Sequence, residues 1–460
     1  MSPNFRPGLR GVVLVLVESG LLFLVLVIAA ALGGEGPLAP SRSFLLRALV
    51  CVAVLQLGMY YGELYDDRAL RSRTQFIVRL GQSYAAGTMT LGFVYYLVPA
   101  VRVSPGILLL GLPLSATVVV AWHAAHRWTA DREALCDNVL IVGSGAIARQ
   151  VAGEVLRRAP LGYHVVGFLG THPAEMGRRL GNPAVVGTMA DLLPLVDSLR
   201  VNVIVVALED QRGHLPIEDL LRCRVEGIRV EDAPSFFERL TGKILVSDLR
   251  PSWLVFSPGF SKPRLLRSSK RAGELVAALV LLAAAFPLLL LLALLIRLES
   301  RGSALYRQPR VGLRGAVFAL HKLRTMREDA ETASGPVWAD PEADPRITRL
   351  GRLLRTFRLD ELPQLVNVVR GEMSFVGPRP ERPHFVQTLR LVIPYSDERH
   401  SVRPGITGWA QVKFGYGSTI EDGERKLQFD LYYVKNMGFF LDLLIILETF
   451  KVMLLGRGAR

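Results

Sequence analysis

The chain has 460 residues, 50% of them hydrophobic and only 21% charged, with a formal net charge of +14. That length is about three folding units at roughly 150 residues each, and a charged fraction below the about 25% usual in soluble domains, with apolar residues gathered in long runs, argues against disorder, collagen-like repeats and a wholly soluble fold. Cys51, Cys136 and Cys223 stand far apart with no CxxC pair, against a zinc ribbon, a thioredoxin-like site or a disulfide framework. On a membrane protein the basic excess points to anionic lipid and phosphorylated substrates, not nucleic acid.

Four apolar stretches open the chain, Gly11–Leu32, Phe44–Tyr61, Phe76–Val98 and Ile107–Trp122. Each approaches the about 20 residues that cross a bilayer, so four N-terminal transmembrane helices are expected. The first is too long for a cleaved signal peptide, and three more follow. Arg6 and Arg10 precede the first, Arg68, Arg71 and Arg73 separate the second and third, and Arg127 and Arg132 follow the fourth. The remaining loops carry chiefly Arg42 and Arg102, so the positive-inside rule places both ends of this block in the cytoplasm. Glu18, inside the first stretch, is either a functional group or one satisfied between helices.

From about Asp131 the pattern changes to short apolar runs, Asn138–Val142, Val165–Leu169 and Val201–Leu208, alternating with helix-like segments. Such alternation predicts a parallel sheet with crossover helices. The turn Gly143-Ser144-Gly145 before a helix is like a dinucleotide fingerprint, but the second run ends in Gly170, Thr171 and His172, with no acid to hold a ribose. A Rossmann-like module of structural or regulatory role is therefore expected, with nucleotide binding as the alternative.

A fifth apolar run, Leu275–Leu298, has Pro287 near its middle and basic residues on both flanks, from Lys262 to Arg271 and from Arg297 to Arg310. Proline removes a helix hydrogen bond, and the flanking charges put both ends on one side. A re-entrant helix hairpin broken at Pro287 satisfies both observations; a kinked spanning helix is the alternative. Near the C-terminus, Phe439–Leu455 is apolar but carries Asp442, Glu448 and Lys451, and reads as a packed or interfacial helix.

The densest polar constellation runs from Arg346 to Leu365. Leu350, Leu353, Leu354 and Phe357 share a helical face ringed by arginines, fit for anionic headgroups or, through arginine forks, for phosphate. Asp360-Glu361 follows, then a helix expected to start at Pro363 and end near Gly371. Arg379 sits in the Gly/Pro turn Gly377–Pro380, Arg403 in the turn Arg403–Gly408, and Lys322 in the upstream run His321–Met326. Rigid cationic turns around a carboxylate pair suit an anionic diphosphate and a divalent ion.

The blocks Lys322–Met326, Leu359–Leu365, Met373–Pro380 and Arg403–Val412 resemble the signature of the bacterial sugar transferase family, the monotopic polyprenyl-phosphate phosphoglycosyl transferases, over about Arg264–Leu455. The whole layout resembles the large, exopolysaccharide-associated members. The architecture implied is a mixed α/β membrane protein: four transmembrane helices over 1–130, a Rossmann-like module over 131–260, a re-entrant hairpin over 261–300 and an α-rich monotopic catalytic domain over 301–460. The resemblance implies Asp360 as nucleophile toward a UDP-sugar, leaving an aspartyl-phosphosugar and UMP, and Glu361 as its partner in the dyad. It further implies Mg2+ on Asp360, Arg355 and Arg379 near the phosphates, Lys322 and Arg403 as further anionic contacts, and undecaprenyl phosphate as acceptor. It places the protein in the inner membrane of a bacterium, among its lipids, with the catalytic domain on the cytoplasmic face and a homodimer as a possible assembly. Many relatives carry Ser-Pro at the hairpin break where this chain has Phe286-Pro287. Two other readings compete. A nucleotide-sugar dehydratase or epimerase needs Tyr-x-x-x-Lys, which none of the twelve tyrosines provides. A non-enzymatic assembly scaffold would not need the intact dyad.

Overall fold

A computed structural model describes residues 9–32, 42–62, 64–65, 73–130, 136–157, 162–179, 183–208, 215–246, 251–327, 346–414 and 419–454. The chain is a mixed α/β membrane protein that divides into two compact units, Ser2–Phe236 and Phe237–Arg460.

The first unit opens with helices α1 (Leu9–Leu32), α2 (Arg42–Tyr61), α3 (Arg73–Leu97) and α4 (Pro105–Ala130). They pack around Leu22, Leu26, Leu55, Met59 and Leu91. Among the described residues four helices are long and apolar enough to cross a membrane: α1, α2, α4 and the much later Arg264–Glu299. The third expected span forms α3 but is not among them, because Arg79, Gln82, Ser83, Thr88 and Thr90 dilute its apolar residues. Of the arginines behind the expected orientation, Arg6, Arg68, Arg71 and Arg132 lie outside the described residues. Glu18 is fully buried between helices; the Tyr65 hydroxyl donates to its Oε2 at 2.9 Å, and His123 Nε2 stands 3.6 Å from its Oε1.

The same unit holds a five-stranded sheet in the order β3-β2-β1-β4-β5. The strands are β1 (Asp137–Val142), β2 (Tyr163–Gly170), β3 (Val185–Thr188), β4 (Val203–Val206) and β5 (Arg229–Asp232), all paired in parallel. Helices α5 (Ala146–Arg157), α6 (Leu192–Ser198) and α7 (Ile217–Val225) lie between strands in the chain. Strands covered on both faces need continuous apolar runs, and every residue of β4 is buried. Strand β1 lies at the centre of this parallel sheet. Beside its glycine turn stands a carboxylate: Glu175 accepts from the Ser144 hydroxyl at 2.9 Å and the Thr171 amide at 3.1 Å.

The second unit begins at Phe237. Ile244 and Val246 pack with Trp409, Leu431, Tyr432 and Tyr433 in its main core. The Trp409 indole donates to the Gly242 carbonyl at 2.7 Å. Next comes α8 (Arg264–Glu299), 36 residues with Pro287 inside. The helix runs on through Pro287. In apolar surroundings every remaining backbone group must stay paired, so the chain resumes its helical bonds after the proline. Only Ala278, Leu292 and Ile296 of α8 are buried, while Val276, Val280, Phe286, Leu290 and Leu298 are more than half exposed.

Both ends of α8 are tied to the same unit. Lys270 meets Asp442 at 2.5 Å and the Tyr433 hydroxyl at 2.9 Å, and Arg271 donates to the carbonyls of Val368 and Val369. At the other end Arg324 donates to the carbonyls of Ser300 and Arg301. A hairpin of β6 (Leu305–Val311) and β7 (Val317–Leu323) follows, antiparallel, with Leu305 opposite Leu323. Helices α9 (Arg349–Thr356) and α10 (Gln364–Arg370), strand β8 (Ser374–Val376), helix α11 (Pro383–Val392), strand β9 (Gly405–Thr407), and helices α12 (Trp409–Lys413), α13 (Ile420–Asn436) and α14 (Phe439–Leu454) complete the chain. On α9 the expected apolar face divides: Leu350 and Leu354 pack inward with Leu292 and Ile296, while Leu353 and Phe357 are exposed. On α14, Ile445 is buried whereas Phe439 and Phe440 are exposed, in keeping with a packed helix.

Trp409 closes the main core and satisfies a buried carbonyl. Trp409→Ala is expected to cost about 3–5 kcal/mol, read as a lowered unfolding midpoint of the full chain in detergent. An unchanged midpoint would remove Trp409 from the centre of the core.

Candidate active site

The dyad sits in a single helical turn, Leu359–Glu361, between α9 and α10. Thr348 starts α9, its side chain accepting from the Gly351 amide at 2.9 Å. Glycine is required at 351 because a Cβ there would stand 2.1 Å from the Thr325 carbonyl oxygen. That close approach seats α9 against the end of β7. Arg358 then takes a left-handed conformation (φ 53°), which stops α9 and swings the chain into the dyad turn. Pro363 caps α10, and Gly371 (φ 82°) ends it, as the proline and glycine punctuation implies.

Asp360 and Glu361 are each only 8% exposed. Lys322, carried on β7, lies 3.0 Å from Glu361 Oε1 and 3.9 Å from Asp360 Oδ2. Arg379 reaches Glu361 Oε1 at 3.4 Å and Gln411 Oε1 at 3.3 Å. The two carboxylates therefore differ. Burial works to raise the Glu361 carboxyl, but Lys322, Arg379 and Arg358 outweigh it and hold it at about 2. For Asp360 burial wins: it stays above the ordinary carboxylate value, with Glu361 adding to the push and Lys322, Arg355 and Arg379 opposing it. Glu361 holds the cations; Asp360 is the less encumbered carboxylate.

The structure thus brings Lys322, Arg379, Asp360 and Glu361 together. Arg355 donates through Nε to Thr325 Oγ1 at 3.0 Å and belongs to the electrostatic surroundings of Asp360. Arg403 has no described contact with the dyad. Its Nε donates to the Gly371 carbonyl at 2.8 Å, and it lines a different cavity. Sequence reasoning gave no role to Gln411 or Arg399, and none to Arg358 beyond its place among the arginines of that constellation. Gln411 lies within the Arg403–Val412 block, and Arg358 is two residues from Asp360. Arg399 donates to the Arg379 carbonyl at 3.1 Å and pairs at 2.7 Å with Asp430, 31 positions away, a separation that carries no local signal.

The chain matches the family described as bacterial sugar transferase over residues 265–456. It is 37% identical over 269 residues to a UDP-N-acetylgalactosamine-undecaprenyl-phosphate N-acetylgalactosaminephosphotransferase of Aeromonas hydrophila, covering 58% of this chain and 62% of that protein. It is 33% identical over 355 residues to an undecaprenyl-phosphate glucose phosphotransferase of Komagataeibacter xylinus, covering 74% and 63%. These two alignments span slightly less than two thirds of each relative's length. A UDP-glucose:undecaprenyl-phosphate glucose-1-phosphate transferase of Caulobacter vibrioides is 45% identical over 210 residues, 44% of this chain and 77% of that protein. The chain belongs to the bacterial sugar transferase family.

Two predictions follow from the packing beneath the dyad. Gly351→Ala forces α9 off the Thr325 carbonyl, and a markedly lower unfolding midpoint is expected; an unchanged midpoint would mean that α9 is not seated there. Burial pushes the Asp430 carboxyl up to about 6 against the pull of Arg399. Its unfolded value is about 3.9, so between roughly pH 4 and 6 the folded chain holds a proton that the unfolded chain has lost. This group's contribution to stability is greatest below about pH 4 and falls as pH rises through 6. Wild type should lose stability relative to Asp430→Asn over that interval. Parallel midpoint curves for the two proteins would contradict this.

Proposed function

We propose that this chain transfers a phosphosugar from a UDP-sugar to undecaprenyl phosphate, the opening membrane step in making an exopolysaccharide or another surface glycan. The observation that carries the reading is the division of labour in the buried dyad, with Glu361 neutralised by Lys322 and Arg379 and Asp360 left, among the described residues, without a cation closer than 3.9 Å. A carboxylate whose lone pairs are free and poorly solvated is a competent nucleophile toward phosphorus. Asp360 Oδ attacks the sugar-side phosphorus of the donor; the new P–O bond forms as the bond to UMP breaks. A phosphate oxygen of the acceptor then attacks that phosphorus and returns the Asp360 carboxylate, giving undecaprenyl-diphosphate-sugar. Glu361 holds Lys322 and Arg379 in place, and those cations offset charge on the transferring phosphoryl group.

A magnesium ion fits the donor set. Among the described residues no cluster of three or more His, Cys, Asp or Glu is present. Mg2+ characteristically uses one or two carboxylates with substrate phosphates and water, which Asp360 and a diphosphate donor provide. When bound, it neutralises phosphate charge.

The membrane arrangement follows from the same reading. A soluble donor and a lipid-borne acceptor phosphate meet at headgroup level on the cytoplasmic face of the inner membrane. The re-entrant hairpin is supported by the ties at both ends of α8 to one unit, by its exposed apolar middle and by Pro287, where a helix bends. The parallel sheet serves as a structural or regulatory module, and the four-part division of the chain stands with this proposal.

The test is UMP release in membranes with Mg2+ and undecaprenyl phosphate, over a panel that includes UDP-glucose and UDP-N-acetylgalactosamine, the sugars in the relatives' names. Sugar-dependent release is expected, reduced on the order of 10³-fold or more in Asp360→Asn and about 10²-fold in Lys322→Ala. Release unaffected by Asp360→Asn would remove the nucleophile assignment.

A further inference from the structure

Within the second unit a cavity of about 470 Å³ opens beside the first turns of α8, and neither carboxylate of the dyad lines it. Its walls hold five basic residues, Arg267, Lys270, Arg271, Arg314 and Arg403, against one carboxylate, Glu274. Three of these cations have structural duties. Lys270 is neutralised by Asp442 and Glu274. Arg271 and Arg403 rest on the backbone carbonyls of Val368, Val369 and Gly371, which leaves their charge in place. Arg267 and Arg314 are exposed and make no side-chain hydrogen bond or ion pair with a described residue. Arg314 is held at the tip of the β6–β7 hairpin in a left-handed conformation (φ 56°), a cost that a non-glycine residue carries only where the surroundings enforce it.

We propose that this cavity binds a phosphate-bearing headgroup, separate from the substrates at the dyad. Arginine forks match phosphate oxygens in geometry and charge. The volume lies within the about 300–1,000 Å³ of small-molecule sites and exceeds the needs of a bare ion. Leu275, Leu313, Val402 and Met437 supply apolar wall beside the cations, so the lining suits an amphiphile. The position agrees: along α8 the sequence turns from basic to apolar between Arg271 and Leu275, which marks the headgroup level of a bilayer. The phosphate can come from an anionic phospholipid or from free phosphate, and Arg403 then serves this second anion and not the donor diphosphate.

The test uses the full chain in detergent with two probes, phosphatidylglycerol and inorganic phosphate. Retained lipid is counted by native mass spectrometry, and phosphate binding is read as a rise in unfolding midpoint over chloride at equal ionic strength. Wild type is expected to retain phosphatidylglycerol in preference to phosphatidylcholine. The double variant Arg267→Ala with Arg314→Ala should bind it roughly tenfold or more weakly, whereas Arg307→Ala, an exposed arginine outside the cavity, and Asp360→Asn should bind as wild type. Stabilisation by phosphate without lipid retention, lost in the double variant, would support the site and assign it to free phosphate. The proposal is overturned if wild type binds neither probe, if the double variant binds as wild type, or if Arg307→Ala weakens binding equally. Matching unfolding midpoints for the variants in chloride establish that each is folded.

Discussion

Burying two adjacent carboxylates is the constraint around which the second unit is organised. An uncompensated buried charge is costly enough that the group ordinarily gives up its ionisation. Here the cost is met asymmetrically. Lys322 arrives from a strand and Arg379 from a Gly/Pro turn, and both converge on Glu361. Arg379 is in turn supported through its carbonyl by Arg399, which is anchored on the buried Asp430 of α13. The glycine-tight seat of α9 on Thr325 and the left-handed Arg358 bring the dyad turn to those cations. Each layer keeps one carboxylate satisfied so that its neighbour need not be.

The same unit resolves a second conflict, that of a mostly exposed apolar helix carried by a polar fold. Its two ends are fixed by charged side chains on backbone carbonyls and carboxylates, and its middle carries exposed apolar residues. Such a surface is stable only against lipid or another apolar partner. This accords with the proposed reaction, in which one reactant is dissolved in water and the other in a bilayer.

Much of this was legible where the signal is local. Pro363 and Gly371 bracket α10, Asp442 and Glu448 mark α14 as packed, and the short apolar runs become parallel strands. The dyad and Lys322 were legible because their blocks are dense, although their meeting across 38 positions is a tertiary fact. Apart from α3, what escaped depends on distant contacts. Polar residues scattered through α3 weaken an apolar run that looks continuous by eye. Gly242, Ile244 and Val246 belong with Trp409, a partner more than 160 positions away. Arg403 sits in a turn chemically like that of Arg379, yet β8 and β9 direct the two arginines to different places: spacing reports that a turn is rigid, not where it points.

Strand β7 bears a further consequence. Lys322 lies on it, and Arg324, two residues on, grips the end of α8. Between the membrane helix and the carboxylate pair there is therefore one short, stiff span of extended backbone. The end of α8 and the ammonium group on Glu361 are thus only three residues of backbone apart, Lys322 to Arg324, so the position of one constrains that of the other.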